Sequence, residues 1–181
     1  GTFTIGYLAR ICHDKGLHLF CDALAILREQ GRVCRVRAAG YLSASDRPYF
    51  EKLRREIARR GLKTHFEYIG EVDREAKFAF LRSCQVFSVP SVYREAKGLY
   101  VLEALSQGVP VVQPRHGSFP EIIEATGGGL LYEPGNVSAL AGAIGRLMDD
   151  GALRKKLGDE GRRRFRELYP AEIMADAAWK A

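Results

Sequence analysis

The segment from Gln85 to Val112, QVFSVPSVYREAKGLYVLEALSQGVPVV, contains the pattern that decides the predicted fold. Its apolar spacing predicts a strand, a helix and a second strand in turn, at Gln85–Val89, Leu99–Ser106 and Val111–Val112. The first strand stops at Pro90, because proline lacks the N–H group that a central strand needs. The sequence Gly108-Val-Pro predicts the turn that leads into the second strand. This order of elements is that of a parallel β-α-β unit.

The same alternation continues on both sides of this segment. The other predicted strands are Thr4–Ala9, Val33–Ala39, His65–Ile69 and Gly129–Tyr132. The other predicted helices are His18–Arg28, Arg47–Arg60, one that follows an Asp73 cap, Pro120–Glu124, Val137–Met148 and Leu153–Leu168. Six strands that alternate with helices are typical of a mostly parallel sheet with helices on both faces. We therefore predict a Rossmann-like, doubly wound α/β fold, which binds ligands at the carboxyl ends of its strands.

Length and composition exclude several classes of protein. The 181 residues suit one domain, and the hydrophobic fraction of 46% and the charged fraction of 28% are ordinary for a globular protein. No apolar stretch reaches the length of about 18 residues that a membrane span needs. The four cysteines fit no zinc-binding spacing and predict buried thiols in a reducing compartment. The net charge of +6 is compatible with anionic ligands, an acidic membrane surface or nucleic acid.

The loop after the first strand, LARICHDKGLHL, carries two basic residues, Arg10 and Lys15. It lacks the G-x-G-x-x-G pattern of a dinucleotide-binding loop. Two cations beside a helix N-terminus favour a diphosphate site, and two solvated surface charges are the alternative. Cys12 and His13 are adjacent in this loop, but adjacent residues rarely point at one another, so we expect no nucleophile pair there.

Two glutamates, Glu95 and Glu103, flank a glycine in the loop and helix that follow the fourth strand. The backbone N–H groups of Gly98 and Leu99 are expected to be free donors of the first helical turn, where glycine lets a phosphate approach the backbone. Glu103 lies about one turn further along, and we expect it to accept hydrogen bonds from both hydroxyls of a ribose. Glu95 is expected to meet a sugar hydroxyl beyond the phosphates.

A second pair of glutamates, Glu67 and Glu75, has the same spacing in a different context. Glu67 lies in a predicted strand, and Glu75 lies in the first turn of a helix that Asp73 can cap. We therefore interpret this second pair as structural.

The loop QPRHGSFPEII is a third place at which a ligand can bind. Its Gly117-Ser118 turn leads into a helix that begins near Pro120, a usual position for proline. Gly117 and Ser118 are candidates for a sugar or phosphate contact. Glu121, in the first turn of that helix, has a simpler explanation in the helix dipole.

Together, in this order and spacing, these segments resemble the C-terminal domain of the retaining glycosyltransferases of family 4, also called group 1. The resemblance covers nearly the whole chain and is carried by GYLARICHDKG, AAG, YIGEV, VFSVPSVYREAKGLYVLEALSQGVPVV, HGSFPEII and GGGLLYEPGNVSALAGAI. It implies one half of a GT-B architecture, in which two Rossmann domains face each other. The chain begins GTFTIGYLA without an initiating Met, which we interpret as a fragment that lacks the N-terminal acceptor domain.

The resemblance also implies roles for the candidate residues. Arg10 and Lys15 match the pair that binds the donor diphosphate. Glu103 matches the glutamate that holds the ribose, and Glu95 matches the one that faces the transferred sugar. The catalytic candidates are therefore Glu95, Arg10 and Lys15, and the donor-binding candidates are Gly98, Leu99, Glu103, Gly117 and Ser118.

The implied reaction transfers a hexose from a UDP-, GDP- or ADP-sugar with retention of configuration. Cations replace a divalent metal in this scheme, and no cofactor is expected. One residue departs from the family pattern, because the position before the glycine is usually aromatic and is Lys97 here. Lys97 is expected either to extend into solvent or to reach an acidic sugar or a phosphate.

The expected partners are the nucleotide sugar, an acceptor sugar or lipid-linked acceptor, and the missing domain. Residues 170–181 are predicted to form a terminal helix that returns to that domain, with Trp179 either in the contact or packed on its own domain. We expect a cytoplasmic location, with peripheral membrane contact as an alternative, and no nucleic-acid partner.

Three other functions remain open from the sequence. They are a nucleotide-sugar epimerase or phosphorylase on a related fold, a non-catalytic nucleotide-sugar binding module, and a basic interaction domain. The last rests on KLRREIARRG and GRRRFREL, amphipathic helices whose basic faces are expected either to be solvated or to contact an anionic membrane.

Overall fold

A computed structural model describes residues 1–169 of the protein. Within this range the strands are β1 Phe3–Leu8, β2 Cys34–Ala39, β3 Phe66–Tyr68, β4 Val86–Phe87, β5 Val111–Pro114 and β6 Gly129–Tyr132. The α-helices are α1 Leu19–Glu29, α2 Arg47–Arg59, α3 Arg74–Arg82, α4 Leu99–Ser106, α5 Phe119–Thr126, α6 Val137–Asp149 and α7 Gly151–Leu168. None of these helices is long and apolar enough to cross a membrane. The predicted terminal helix at 170–181, with Trp179, lies outside the described residues.

The six strands form one sheet in the order β3-β2-β1-β4-β5-β6. Every pairing between neighbouring strands is parallel. The predicted Rossmann-like, doubly wound fold is therefore confirmed. The direction of strand succession reverses between β1 and β4, so the loops that follow these two strands lie side by side at the carboxyl edge of the sheet. Such a switch point is the usual ligand crevice of an open α/β sheet.

The central strands are rich in buried apolar residues because helices cover both faces of the sheet. Ile5, Val36, Phe87 and Val111 have no exposed surface. Helix α1 contacts α2 and α6, whereas α4 contacts α3 and α7. Burial of each such aliphatic or aromatic side chain contributes about 1.5–3 kcal/mol, and this rigid centre holds the loops at the carboxyl edge in place.

The helix starts show where the fold leaves backbone donors uncapped. The side chain of Asp73 accepts a hydrogen bond from Ala76 N–H at 2.8 Å, which confirms the predicted cap of α3. Asn136 and Asp150 cap α6 and α7 in the same way. Helices α1, α2, α4 and α5 have no such side-chain cap, and in α4 the N-cap is Gly98, which has a left-handed backbone and no side chain to offer. The first turn of α4 therefore points uncapped N–H groups toward the carboxyl edge of the sheet.

All four cysteines are free thiols, and three of them are buried. Burial raises the pKa of Cys21 to about 12 and the pKa values of Cys34 and Cys84 to about 11. Thiolate is scarce at neutral pH when the pKa is this high, so these three side chains serve packing rather than chemistry.

Candidate functional site

The loops after β1 and β4 are joined by an ion pair between two of the candidate residues. Lys15 Nζ lies 2.5 Å from Glu95 Oε2, and the side chains are only 16% and 11% exposed. The backbone strengthens this junction, because Val92 N–H and the Ser91 hydroxyl both donate to the Asp14 carbonyl oxygen, at 2.9 and 3.1 Å. The fold thus brings together residues that are 80 positions apart in the sequence.

Two tyrosines complete the surroundings of the Glu95 carboxylate. The Tyr100 and Tyr93 hydroxyls donate to Glu95 Oε2 at 2.8 and 3.2 Å. Lys15 Nζ also lies over both rings, 4.8 Å from the Tyr93 centroid and 5.3 Å from the Tyr100 centroid, at the distance of cation–π contacts. The sequence analysis missed both tyrosines, although Tyr100 falls in the first turn of a correctly predicted helix.

The pKa values of this cluster favour a charged pair. Burial acts to raise the pKa of Glu95, but hydrogen bonds from Lys15 and Tyr100 outweigh burial and hold it below its ordinary value. Burial likewise acts to lower the pKa of Lys15, and the bonds to Glu95 and Tyr93 hold it above its ordinary value. Burial and then the charge of Glu95 raise the pKa of Tyr100 well above its usual range. At neutral pH the cluster therefore contains the Glu95 carboxylate, the Lys15 ammonium group and the neutral Tyr100 phenol.

The loop after β5 fixes the backbone of Glu95. Gly117 has a φ of +58°, and a Cβ atom at this position would lie 2.4 Å from the Glu95 carbonyl oxygen, so only glycine fits. The next residue, Ser118, donates its backbone N–H to the same oxygen at 2.8 Å. The Ser118 hydroxyl is buried and has no hydrogen-bond partner within residues 1–169. In this structure Gly117 supports Glu95, and a direct ligand contact from Gly117 or Ser118 stays a prediction.

The start of α4 has the geometry that the sequence predicted for it. Gly98 has a φ of +61°, and a Cβ atom there would come within 2.9 Å of Ile122 Cδ1 and 3.1 Å of Ser118 Oγ. The Gly98 carbonyl oxygen accepts the first helical hydrogen bond, from Val101 N–H at 2.9 Å. Among the described residues, neither Gly98 N–H nor Leu99 N–H has a recorded acceptor. These donors and the positive end of the helix dipole can bind an anion.

A cavity of about 310 Å³ contains the second glutamate, Glu103. Its walls come from the carboxyl ends of β1, β2 and β3 and from α3 and α4. The lining residues are Leu8, Gly40, Tyr41, Glu71, Val72, Lys77, Leu99, Tyr100 and Glu103. Tyr100 belongs both to this wall and to the Glu95 cluster, so the cavity and the Lys15–Glu95 pair adjoin each other.

Inside this cavity Lys77 Nζ donates a hydrogen bond to Glu103 Oε1. The sequence analysis missed Lys77. It lies on α3, 26 positions before Glu103, and the pattern of α3 shows only that its apolar residues face the core.

Arg10 lies apart from the other candidates. Its Nη2 atom is 2.8 Å from Asp46 Oδ2 and its side chain is 54% exposed. The hydrogen bond and the charge of Asp46 raise the pKa of Arg10. The structure therefore joins Lys15 to Glu95 but places Arg10 against a different loop. The joint role of Arg10 and Lys15 at a diphosphate stays a prediction.

The second pair of glutamates, Glu67 and Glu75, lies outside both the Glu95 cluster and the cavity of Glu103. Glu67 Oε2 is 2.7 Å from Arg37 Nε and its side chain is 49% exposed. Glu75 is an exposed residue of the first turn of α3, as predicted. Neither residue lines the cavity that contains Glu103.

Comparison with known families identifies the chain. Residues 1–164 match the family described as glycosyl transferases group 1. The chain belongs to the group 1 glycosyltransferases. The resemblance noted from the sequence is confirmed.

Relatives of this glycosyltransferase chain include sugar transferases from actinobacteria. It is 29% identical over 153 residues to the alpha-D-kanosaminyltransferase of Streptomyces kanamyceticus, and this match covers 84% of the chain and 38% of the relative. It is 29% identical over 182 residues to the D-inositol 3-phosphate glycosyltransferase of Corynebacterium jeikeium, and this match covers 99% of the chain and 41% of the relative. The chain thus spans about two fifths of the length of these relatives.

Solved structures agree on the fold of this glycosyltransferase chain. The complex of Anabaena HepE with UDP superimposes with a TM-score of 0.86 at 22% identity, over 99% of this chain and 49% of that chain. The C-terminal domain of LpcC, a group 1 glycosyltransferase from Francisella tularensis, gives 0.84 at 25% identity, over 94% of this chain and 88% of that chain. Structural neighbours such as HepE are GT-B glycosyltransferases. This chain covers about half of each neighbour, as expected of one domain of that architecture.

Lys97, where the family resemblance led us to expect an aromatic residue, has an exposed side chain two residues after Glu95. No ion pair of Lys97 is recorded within residues 1–169. In the same range, no group of three or more His, Cys, Asp and Glu residues is arranged to hold a metal ion.

Proposed function

We propose that this domain binds the nucleotide-diphosphate sugar of a retaining, metal-independent hexosyltransferase, and that another domain of the complete protein binds the acceptor. The observation that carries the proposal is the Lys15–Glu95 ion pair beside the uncapped start of α4 and the cavity of Glu103. Complexes of the structural neighbour HepE with UDP and with UDP-glucose support a UDP-sugar as the first donor to test.

The diphosphate is assigned to Lys15 and the start of α4. An ammonium group has three N–H donors, and Lys15 uses one on Glu95 and one on Tyr93, so one donor remains for a phosphate oxygen. The N–H groups of Gly98 and Leu99 supply two more donors from a helix N-terminus. Negative charge grows on the diphosphate as the bond to the sugar breaks, and donors fixed in advance lower the barrier by stabilising that charge. Arg10 is assigned to the outer side of the diphosphate.

The ribose is assigned to Glu103. Lys77 contacts only Oε1 of this carboxylate, and no recorded bond within residues 1–169 uses Oε2. Oε2 is therefore available to accept hydrogen bonds from ribose hydroxyls in the cavity. The hydrogen bond from Lys77 keeps the carboxylate oriented.

The transferred sugar is assigned to Glu95. Its Oε2 atom receives all three recorded hydrogen bonds, from Lys15, Tyr93 and Tyr100, which leaves Oε1 for a sugar hydroxyl. Positive charge develops on the sugar ring during transfer, and an ionised carboxylate beside the ring stabilises it. The lowered pKa of Glu95 keeps the carboxylate ionised at neutral pH.

Donor binding is tested by titrating UDP, GDP and ADP into the protein by calorimetry, with and without EDTA. We expect weak binding of UDP that EDTA does not change, because a half-site buries only part of the ligand. Loss of binding on chelation would contradict the metal-free proposal. The absence of binding for all three nucleotides would contradict donor binding itself.

Transfer is tested with the complete gene product. Incubation with a UDP-sugar and candidate acceptors is expected to release UDP and to give a product with the anomeric configuration of the donor, read by NMR. An inverted product would contradict the retaining mechanism. The 181-residue chain alone is expected to transfer no sugar, so turnover equal to that of the complete protein would contradict the assignment of the acceptor to another domain.

A further inference from the structure

A second cavity, of about 740 Å³, lies between α2 and the edge strand β3. It shares no lining residue with the cavity of Glu103. Its walls combine aromatic rings with cations. The lining residues are Phe50, Glu51, Arg54, Arg55, Ile57, Ala58, Lys63, Phe66 and Tyr68.

The floor of this second cavity is apolar. Phe50 is 5% exposed and packs edge-on against Tyr68, with 4.8 Å between ring centroids. Phe66 is partly buried against the core beside them. The Tyr68 hydroxyl turns away and donates to the Gly40 carbonyl oxygen at 2.8 Å, so it does not make the floor polar. The cavity therefore offers an apolar surface beneath a charged rim.

The rim belongs to a strongly basic segment of the chain. Residues 47–63 contain seven Lys and Arg against two Glu, a net charge of +5 in a chain whose total is +6. The two glutamates are already engaged, Glu51 with Arg54 and Glu56 with Arg59 and Arg60. Within residues 1–169, no ion pair is recorded for four other cations of the segment, Arg47, Lys52, Arg55 and Lys63. This face therefore has a large excess of uncompensated positive charge.

We propose that the basic face, formed by α2, Lys63 and β3, binds the surface of an anionic phospholipid membrane. In this arrangement one lipid phosphate lies among Arg54, Arg55 and Lys63, and the glycerol and first acyl carbons lie against Phe66. A phospholipid joins an anionic phosphate to an apolar body, which is the combination that the rim and floor present. The proposal is independent of the nucleotide-sugar assignment.

The distribution of charge favours a membrane over a soluble phosphate ligand. Arg47 and Lys52 do not line the cavity, so a single small anion inside it leaves them uncompensated. An anionic leaflet supplies many phosphates at once, and its surface potential attracts each nearby cation. Nucleic acid would also supply phosphates, but the nearly buried, edge-on packed Phe50 presents no open ring face on which a base could stack.

The test is co-sedimentation of the 181-residue chain with two kinds of vesicle, phosphatidylcholine alone and phosphatidylcholine with phosphatidylglycerol. Binding is expected only with phosphatidylglycerol, and it is expected to weaken as salt is added. The double variant Arg55→Glu/Lys63→Glu is expected to lower the partition coefficient about tenfold or more, because four units of charge change at the rim.

A matched control carries the same charge change on another helix. Lys156→Glu/Arg166→Glu alters two exposed cations of α7 for which no ion pair is recorded within residues 1–169. This variant is expected to bind phosphatidylglycerol vesicles nearly as the wild type does. Equal losses from the two double variants would show that net charge alone drives binding, and that result would overturn the assignment to α2 and β3. Melting temperatures of both variants establish that each is folded.

Binding of soluble ligands distinguishes a phospholipid site from a site that binds any anion. Short-chain dihexanoyl phosphatidylglycerol is expected to raise the melting temperature of the wild type but not that of Arg55→Glu/Lys63→Glu. An equal rise with inorganic phosphate at the same concentration and ionic strength would assign the cavity to a soluble anion. An oligonucleotide is compared with inorganic phosphate as a competitor for the vesicles. Release of the protein by the oligonucleotide, at concentrations at which inorganic phosphate releases none, would assign the face to nucleic acid. Either result would contradict the membrane proposal.

Discussion

Two segments of this protein place glutamates at the same spacing, and only one of them lies in the candidate site. Glu95 and Glu103 are separated by seven residues, as are Glu67 and Glu75. Glu95 is nearly buried and receives bonds from Lys15 and two tyrosines. Glu67, by contrast, is half exposed and paired with one arginine. Spacing therefore carries little information by itself, and the difference lies in burial and in donors supplied by distant parts of the chain.

The backbone between the glutamates differs as well. Each segment contains a glycine with a left-handed backbone, Gly98 in one and Gly70 in the other. A Cβ atom at Gly98 would collide with side chains of α5 and its cap, whereas a Cβ atom at Gly70 would meet nothing within 4 Å. The segment of Glu95 is thus tightly packed at its glycine, whereas the segment of Glu67 has open space at the corresponding glycine.

The largest expected difference between the two segments concerns the glycine that supports Glu95. Gly117→Ala places a methyl group 2.4 Å from the Glu95 carbonyl oxygen and forces alanine into a left-handed conformation. We expect the free energy of unfolding to fall by about 3 kcal/mol or more, from left-handed strain and overpacking together. The control Gly70→Ala introduces the left-handed strain without overpacking, and we expect it to lower the free energy of unfolding by about 1 kcal/mol. Urea unfolding measures the free energy of unfolding of both variants. Similar decreases would show that the two segments are packed alike.

The next difference concerns nucleotide affinity. Glu103→Ala removes a charged acceptor from the cavity and is expected to weaken UDP binding about tenfold or more, since a hydrogen bond to a charged group contributes about 1.5–3 kcal/mol. Glu67→Ala removes a carboxylate at the same spacing and is expected to leave UDP affinity unchanged. Calorimetric titration of both variants, with their melting temperatures, makes the comparison. Equal affinity losses would contradict the assignment of Glu103 to the ribose.

The smallest expected difference appears in acid. The pKa of Glu95 is lower in the folded state than its ordinary value, so this carboxylate stabilises the fold above about pH 4.3 and loses that contribution as pH falls through the folded pKa. The free energy of unfolding of Glu95→Gln is therefore expected to fall less steeply than that of the wild type below about pH 4.3.

Urea unfolding at several pH values measures this difference. At neutral pH the exposed control Glu67→Gln is expected to change stability by about 0.5 kcal/mol or less, since surface ion pairs contribute little. Parallel curves for the wild type and Glu95→Gln would show that the bonds from Lys15, Tyr93 and Tyr100 do not favour the charged carboxylate.

Local signals in the sequence were sufficient for most of the fold. Helix α4 has the predicted bounds, Leu99–Ser106, because its apolar spacing and the glycines on both sides mark it. Strand β4 is shorter than the predicted Gln85–Val89. Gln85 and Ser88 nevertheless donate hydrogen bonds to β1, to Thr4 and Gly6, so the prediction identified the paired segment but not where regular strand geometry ends. The 3-10 turn at His13–Lys15 was not predicted, since such short turns have no periodicity to recognise.

The candidate site was less predictable, because its contacts are long-range. The sequence shows a lysine at 77 and a glutamate at 103, but only the packing of α3 beside α4 brings them together. Arg10 shows the opposite case, since it is close to Lys15 in sequence but pairs with Asp46. Family resemblance supplied roles for Arg10, Lys15 and Glu103, but neither resemblance nor periodicity specifies with which partner a long side chain will pair.

The Lys15–Glu95 contact also has a consequence for the order of folding. It joins residues 80 positions apart, on opposite sides of the switch in strand order, so it forms only after both halves of the sheet have assembled. Contacts of such high sequence separation form late, because the entropy of closing the intervening chain must be lost first. A nascent chain from which β4 has not yet emerged therefore lacks the proposed diphosphate site. Nucleotide binding would stabilise only the completed domain, and it would act on the last step of folding rather than on the first.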